Sequence, residues 1–342
     1  KTMYNWRDDR ENRFVLGHEL LDGEDIALDD FTITNGVPSR FPIEVERETK
    51  GGIDNNRNKN RRLEDQRMQN YTLAGDHLWG SLKVDWMASY ARASEERLNE
   101  RYAIYVSEYS VNSDASTRYP RFSAVNVADA TPDNFEFDEV SEENQFTKEE
   151  DINLFVNFEL PLDLFGQGEG SMKFGGRGRF KNKLSDNDFF VYDLEDDFPT
   201  LGSVPLKDYS DPDFLAGSQY LIGQFPSEEW LGNINLNNGE LQLDEFLPGN
   251  FDVSEDVWAG YVMFNQKITE KLSLLAGLRI ENTSLQSNGN SLTFIEEDED
   301  LGIEESIEVE AVTAENSYTN ILPGVHFKYD IDNSTVLRFA CT

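Results

Sequence analysis

Residues 151–160, DINLFVNFEL, alternate without a break. Ile152, Leu154, Val156, Phe158 and Leu160 fall on one side, and Asp151, Asn153, Phe155, Asn157 and Glu159 on the other. Successive side chains of a β-strand point to opposite faces, so this stretch makes a strand with one apolar face and one mostly polar face. The pattern returns at 82–90, where Leu82, Val84, Trp86, Ala88 and Tyr90 oppose Lys83, Asp85, Met87 and Ser89. It returns again at 272–281, where Leu272, Leu274, Ala276, Leu278 and Ile280 oppose Ser273, Leu275, Gly277, Arg279 and Glu281. Weaker copies set Met172, Phe174 and Phe180 against Lys173, Arg177 and Arg179, and Ile321, Val325, Phe327 and Tyr329 against Asn320, His326 and Lys328. Residues 254–268 are strand-like with two apolar faces. The sequence thus predicts nine strands, at 1–7, 62–78, 81–93, 146–160, 169–183, 254–268, 271–285, 316–330 and 334–342.

The connections alternate as regularly as the residues. Short ones lie near 79–80, 161–168, 269–270 and 331–333. Between them stand segments of tens of residues, 8–61, 94–145, 184–253 and 286–315, far longer than the loops of a compact soluble domain. Tight turns at one end and long loops at the other are the signature of an up-and-down outer-membrane barrel. The long segments carry much of the acid: 15 Asp/Glu against Lys207 alone in 184–253, and 10 against none in 286–315. Only 40–70 departs, with eight basic and six acidic residues, Arg57, Lys59, Arg61, Arg62 and Arg67 among the basic ones.

Composition agrees with this reading. No run of 18 apolar residues exists and mean hydropathy is −0.59, which excludes a helical membrane protein but not a barrel, where only alternate residues face lipid. A net charge of −36 and a pI near 4.3 exclude nucleic acid as a partner. Twelve per cent aromatic residues is too rich for an acidic disordered tail. The single Cys341 permits no intrachain disulfide, and no His/Cys cluster is spaced for zinc. No export signal is legible at Lys1, and the chain reads as a fragment.

Trp258–Leu285, WAGYVMFNQKITEKLSLLAGLRIENTSL, and Tyr318–Ala340, YTNILPGVHFKYDIDNSTVLRFA, resemble successive late hairpins in the barrel of TonB-dependent receptors. The most specific pieces are G-x-R-x-E-x-T at 277–283, L-P-G at 322–324 and L-R-F-A at 337–340. Residues 67–102, RMQNYTLAGDHLWGSLKVDWMASYARASEERLNERY, are similar to an earlier hairpin. The resemblance implies a 22-stranded barrel plugged by an N-terminal domain, with a motif that contacts TonB. It makes residues 1–342 a partial, all-β, antiparallel transmembrane barrel without plug or final strands. The implied activity is energised uptake of a siderophore, metal chelate, cobalamin or oligosaccharide, with no bond made or broken, no cofactor and no catalytic residue. Expressed alone, nine strands with two open edges are expected to aggregate rather than form a stable soluble monomer.

Candidate site residues follow from strand parity. If the apolar faces meet lipid, Lys173, Arg177, Arg179, Arg279 and His326 line the lumen, where they attract an anionic ligand or pair structurally with carboxylates such as Glu281. His18, His77 and His326 stand at no spacing that supplies a Ser or Cys nucleophile with a base. The run 296–300 and the group Asp208, Asp211, Asp213 offer oxygen ligands for Ca²⁺, although neither matches an EF-hand and solvated acidic loops account for both. Trp79 and Phe165 near the short turns, and Tyr90, Phe180 and Trp258 near the long segments, form two interfacial girdles. Two other readings stay open at this point: a soluble or surface-attached acidic β module, Ca²⁺-dependent and lectin-like, and a passive porin.

Overall fold

The computed structural model describes every residue except 22–29, 53–61, 116–119, 215–220, 296–304 and 333. Alternation builds strands here because β-branched and aromatic side chains pack on a pleated surface. In chain order they are β1 (Thr2–Glu11), β2 (Arg13–Glu19), β3 (Thr32–Thr34), β4 (Val37–Gly52), β5 (Arg62–Trp79), β6 (Leu82–Asp114), β7 (Arg121–Ala124) and β8 (Glu136–Pro161). There follow β9 (Gly170–Tyr192), β10 (Leu206–Asp208), β11 (Gln224–Pro226), β12 (Glu240–Leu241), β13 (Phe251–Lys267), β14 (Leu272–Ile295), β15 (Ser306–Asp330) and β16 (Val336–Cys341). Two short helices, α1 (Glu228–Asn233) and α2 (Leu243–Phe246), complete the list.

The nine strands predicted from alternation form the path of one antiparallel sheet, in the order β1-β5-β6-β8-β9-β13-β14-β15-β16. Each strand of the path pairs with the next in sequence along it, so the four short turns fall at one end and the long connections at the other. The sheet is that of an antiparallel transmembrane β-barrel, with periplasmic turns and acidic extracellular segments. Among the described residues it runs from β1 to β16 without these edges meeting.

Register fixes the faces. Trp86, Val156, Gly176, Gly260, Ile280 and Ile321 lie in one row across six strands, and Val84, Phe158, Phe174, Val262, Leu278 and Pro323 in another. These rows belong to an apolar belt about nine residues high, spanning 71–79, 82–90, 152–160, 172–180, 272–280 and 321–329. At a rise of about 3.3 Å per residue and a tilt of about 40°, such a belt is about 20 Å tall, close to an outer-membrane hydrocarbon layer. No protein covers much of it: Leu73 is 66% exposed, Trp258 59% and Ile321 65%. Its solvent is therefore lipid. Tyr71 stacks on Tyr90 and Phe180 meets Trp258 edge-on at the upper rim, while Trp79 stands at the lower rim. Trp86 crosses over Gly75, where a Cβ would lie 2.7 Å from its Nε1, and donates to His77 Nε2 at 3.0 Å.

The long segments are not simply loops, which corrects the sequence reading. β6, β8, β9, β14 and β15 run well past the belt, and 8–61 contributes β2, β3 and β4. At Asn99 (φ 55°) the β6–β8 register slips, Arg97 lying opposite Gln145 and Glu100 opposite Glu143. There the other edge of β6 changes partner, from β5 along Leu82–Arg97 to β4 along Glu100–Asn112. Apart from Val84 in the belt, the buried apolar core sits in this upper layer. Ile43, Val45, Tyr105, Val111 and Phe135 meet Leu201 and Val204, and Ala103, Val140 and Tyr192 meet Leu231.

The periplasmic turn after β8 is built by polar side chains. Asp163 accepts backbone N–H groups from Phe165, Gly166 and Gly168 at 3.1, 2.8 and 2.6 Å. These bonds, that from Gly168 foremost, hold its carboxyl below the usual range. The buried Gln266 amide bridges Leu164 N–H and the Leu162 carbonyl at 3.0 and 2.7 Å.

Candidate functional site

The face opposite the belt is polar and continuous across strands. Asp85, Asn157, Gly175, Tyr261, Arg279 and Leu322 share a row. Asn157 donates to Asp85 at 2.7 Å, and the Tyr261 hydroxyl reaches across Gly175 to Asn157 Oδ1 at 2.7 Å. Glycine is required there, because a Cβ at 175 would lie 2.3 Å from the Val156 carbonyl oxygen.

All five predicted site residues lie on this face. Lys173, Arg177 and Arg179 follow one another along β9, continued by Lys181 and Lys183, which the sequence reading did not single out although they keep the same phase. Lys173 stands 3.8 Å from Asp85, Arg179 bonds Asp151 at 2.9 Å and lies 3.7 Å from Glu255, and Lys181 meets Glu149 at 2.9 Å. Arg177 donates to Asn153, a neutral acceptor, at 2.9 Å. Arg279 bonds Glu281 at 2.5 Å. The cations of β9 are therefore largely held in an ion-pair lattice.

Arg279 and His326 both line a hollow of about 470 Å³ shared by β13, β14 and β15, two rows apart on the same face. Gly277 and Gly324 face each other across the pair and form its floor, with Tyr261, Met263, Leu275 and Leu322 as walls. Asn157, Asp85 and Tyr261 were missed because uncharged and acidic lumen residues carry no motif of their own; their strand phase was the available signal.

The upper layer bears a different chemistry. Glu19, Glu44 and Glu108 lie directly opposite one another across β2, β4 and β6, with Glu46 one row below Glu44 on the same face. Burial, then repulsion from Glu108, Asp138 and Glu19, pushes the Glu44 carboxyl up; burial followed by Glu48 and other acids does the same at Glu46. The Asp208 carboxylate accepts Ser210 N–H, and that of Asp211 accepts Asp213 N–H, each at 2.8 Å. Among the described residues no group of three metal-ligating side chains is gathered. The run 296–300 lies outside the described residues, as do Arg57, Lys59 and Arg61.

Residues 205–341 match the model of the outer membrane protein beta-barrel family. Together with the belt and the turn topology, this makes the chain an outer-membrane β-barrel sheet. No curated protein matches it. Among solved structures it is similar to the siderophore receptor PiuA from Acinetobacter baumannii, at 10% identity and a TM-score of 0.27, covering 97% of this chain and 45% of that one. It is also similar to the ferric-catecholate import receptor Fiu from K12 E. coli, at 9% identity and a TM-score of 0.29, covering 96% and 48%. The chain thus spans less than half the length of these matched structures.

Proposed function

We propose that this sheet is part of the wall of a TonB-energised uptake receptor, its polar face lining the route of a scarce nutrient. The observation that carries the reading is the largely polar face, in register across β5 to β15 and bearing Lys173, Arg177, Arg179, Arg279 and His326, behind a lipid-height apolar belt. The hairpin motifs at 277–283, 322–324 and 337–340, which resemble those of the receptor family, support it. The role is transport and recognition: the wall holds and passes a ligand, and the ion pairs of β9 keep its shape in a water-filled lumen.

The decisive experiment measures uptake by cells carrying the intact protein, with ferric chelates, cobalamin and oligosaccharides as labelled substrates, before and after the proton-motive force is collapsed. The expected result is accumulation of one substrate class that stops with the uncoupler. Continued entry down a gradient would make it a passive porin. Purification as a detergent-free monomer would instead support the acidic binding module.

A further inference from the structure

We propose that a hollow on the polar face, just above the level of the belt, binds an uncharged polyhydroxylated ligand, a short stretch of neutral oligosaccharide. The hollow measures about 550 Å³ and is shared by β1, β5, β6, β8 and β9, a size within the roughly 300–1,000 Å³ of small-ligand sites. Register places it. Asn5, Met68, Ala93, Glu149 and Lys183 form one row across the five strands, and Arg7, Gln66, Glu95 and Thr147 form the row above. Glu149 keeps the phase of Asp151 on β8, and Lys183 that of Arg179 on β9, so both rows lie on the face turned away from lipid.

The charges of the hollow cancel and are already held. Arg7 meets Asp9 at 2.5 Å, Glu95 meets Arg97 at 2.7 Å, Glu149 meets Lys181 at 2.9 Å, and the Lys183 ammonium lies 5.7 Å from the Phe251 ring centroid. With two cations against two carboxylates, an anion gains no net attraction there, and a cation would have to displace one of these pairs. Higher on the same face stand Glu44, Glu46 and Glu108, which repel an anion on its approach. What the hollow leaves open is neutral. Among the described residues the Asn5 amide and the Thr147 hydroxyl make no hydrogen bond. Gln66 donates to Glu64 and Glu95 at 2.5 and 2.8 Å, which leaves its carbonyl oxygen as an acceptor. Glu149 meets Lys181 through one carboxylate oxygen and has a second. Between these groups Met68 and the exposed Ala93 make a small apolar floor. A sugar ring matches this arrangement, with hydroxyls that both donate and accept around its edge and C–H groups on its face.

This rests on the proposed reading of the polar face as the lumen wall of an uptake receptor, and the two can fail separately. The intact protein in mild detergent is titrated calorimetrically, at low and at high salt, with neutral oligosaccharides of glucose, mannose, galactose, xylose and fructose, and with ferric citrate and a ferric catecholate as anionic probes. One of the saccharides is expected to bind with the same affinity at both salt concentrations, because screening does not touch an uncharged ligand, and neither chelate is expected to compete. Ala93→Phe, which fills the hollow from an exposed position, and Asn5→Ala/Thr147→Val, which removes two hydrogen-bonding groups and leaves the ion pairs intact, should each weaken binding about tenfold while keeping the heat-modifiable gel mobility of a folded barrel. Should one variant misfold, the other carries the test. Salt-sensitive binding of a chelate at this hollow, no binding of any of the saccharides, or undiminished binding in a folded variant would overturn the proposal. Saccharide binding without energised uptake would leave the site standing and remove the receptor reading, whereas energised uptake of a chelate without saccharide binding would do the reverse.

Discussion

Arg47 shows how single residues hold the upper layer together. Its Nη1 donates to the carbonyls of Ile222 and Gln224 at 2.7 and 2.9 Å, and its guanidinium lies 4.9 Å from the Phe135 ring centroid and 5.1 Å from that of Phe225. Burial lowers its pKa, with Tyr109 and Asp208 opposing that shift. Arg101 does the same work for the next turn, donating to Leu231 and Ile234 carbonyls at 3.1 and 2.9 Å while bonding Glu142 at 2.8 Å. In both cases a guanidinium donates to backbone carbonyls of the chain segment packed against the sheet. Arg47→Ala is expected to cost about 2–4 kcal/mol, since two carbonyls and two ring faces lose their partner together. Arg47→Lys should restore less than half, an ammonium being unable to fork and stack at once. Limited proteolysis within 205–227 under rising urea measures this; equal resistance of wild type and Arg47→Ala would show that this segment is held by its apolar contacts alone.

At the scale of elements, the bulge in β6 decides what the sequence could reveal. Before it, even-numbered residues from Leu82 to Tyr90 face the belt; after it, Ala103, Tyr105 and Val111 are the buried ones. A phase change of one residue at Leu98–Asn99 breaks the alternation, so periodicity alone ends the strand near 93. β4 was legible in principle, because Phe41, Ile43, Val45, Arg47 and Thr49 alternate with Pro42, Glu44, Glu46, Glu48 and Lys50, yet charged residues made the segment look like loop. The belt strands were plain because lipid demands an apolar residue at every second position, whereas the upper layer is covered partly by arginines. Asn99→Val should cost about 1–3 kcal/mol, since a β-branched residue resists positive φ, while Asn99→Gly should be nearly neutral.

The acid row sets the pH response of the same layer. Glu44 and Glu46 titrate above their ordinary value, so within that window the folded state holds more protons than the unfolded one. Stability therefore rises as pH falls through the raised values and stops rising at the ordinary carboxylate range. Glu44→Gln should stabilise the upper layer by a few tenths of a kcal/mol at neutral pH and by nothing near pH 4, where about half or more of the unfolded-state carboxyls are already protonated. Trp230 emission during urea unfolding at the two pH values reports it. A Glu44→Gln gain that is the same at both would remove repulsion as its cause.

For the whole molecule, one sheet serves three solvents: lipid on the belt face, water on the polar face, and its own folded chain above. Leu278 and Leu322 separate the first two with one amino-acid type, Leu278 lying in the belt beside Val262 and Pro323, Leu322 in the polar row beside Arg279. An arginine at mid-bilayer costs about 2–4 kcal/mol on a lipid face, whereas a lumen wall already rich in arginine and carboxylate solvates another cheaply. Leu278→Arg is expected to lower the stability of the intact protein refolded into lipid vesicles by that amount, and Leu322→Arg by less than about 1 kcal/mol. Urea titration in vesicles measures both. The difference between the two penalties is diagnostic rather than either value, because any partly buried leucine suffers from a charge. Equal penalties would mean that the two faces meet the same solvent, and the outer-membrane assignment would fall with the parity on which it stands.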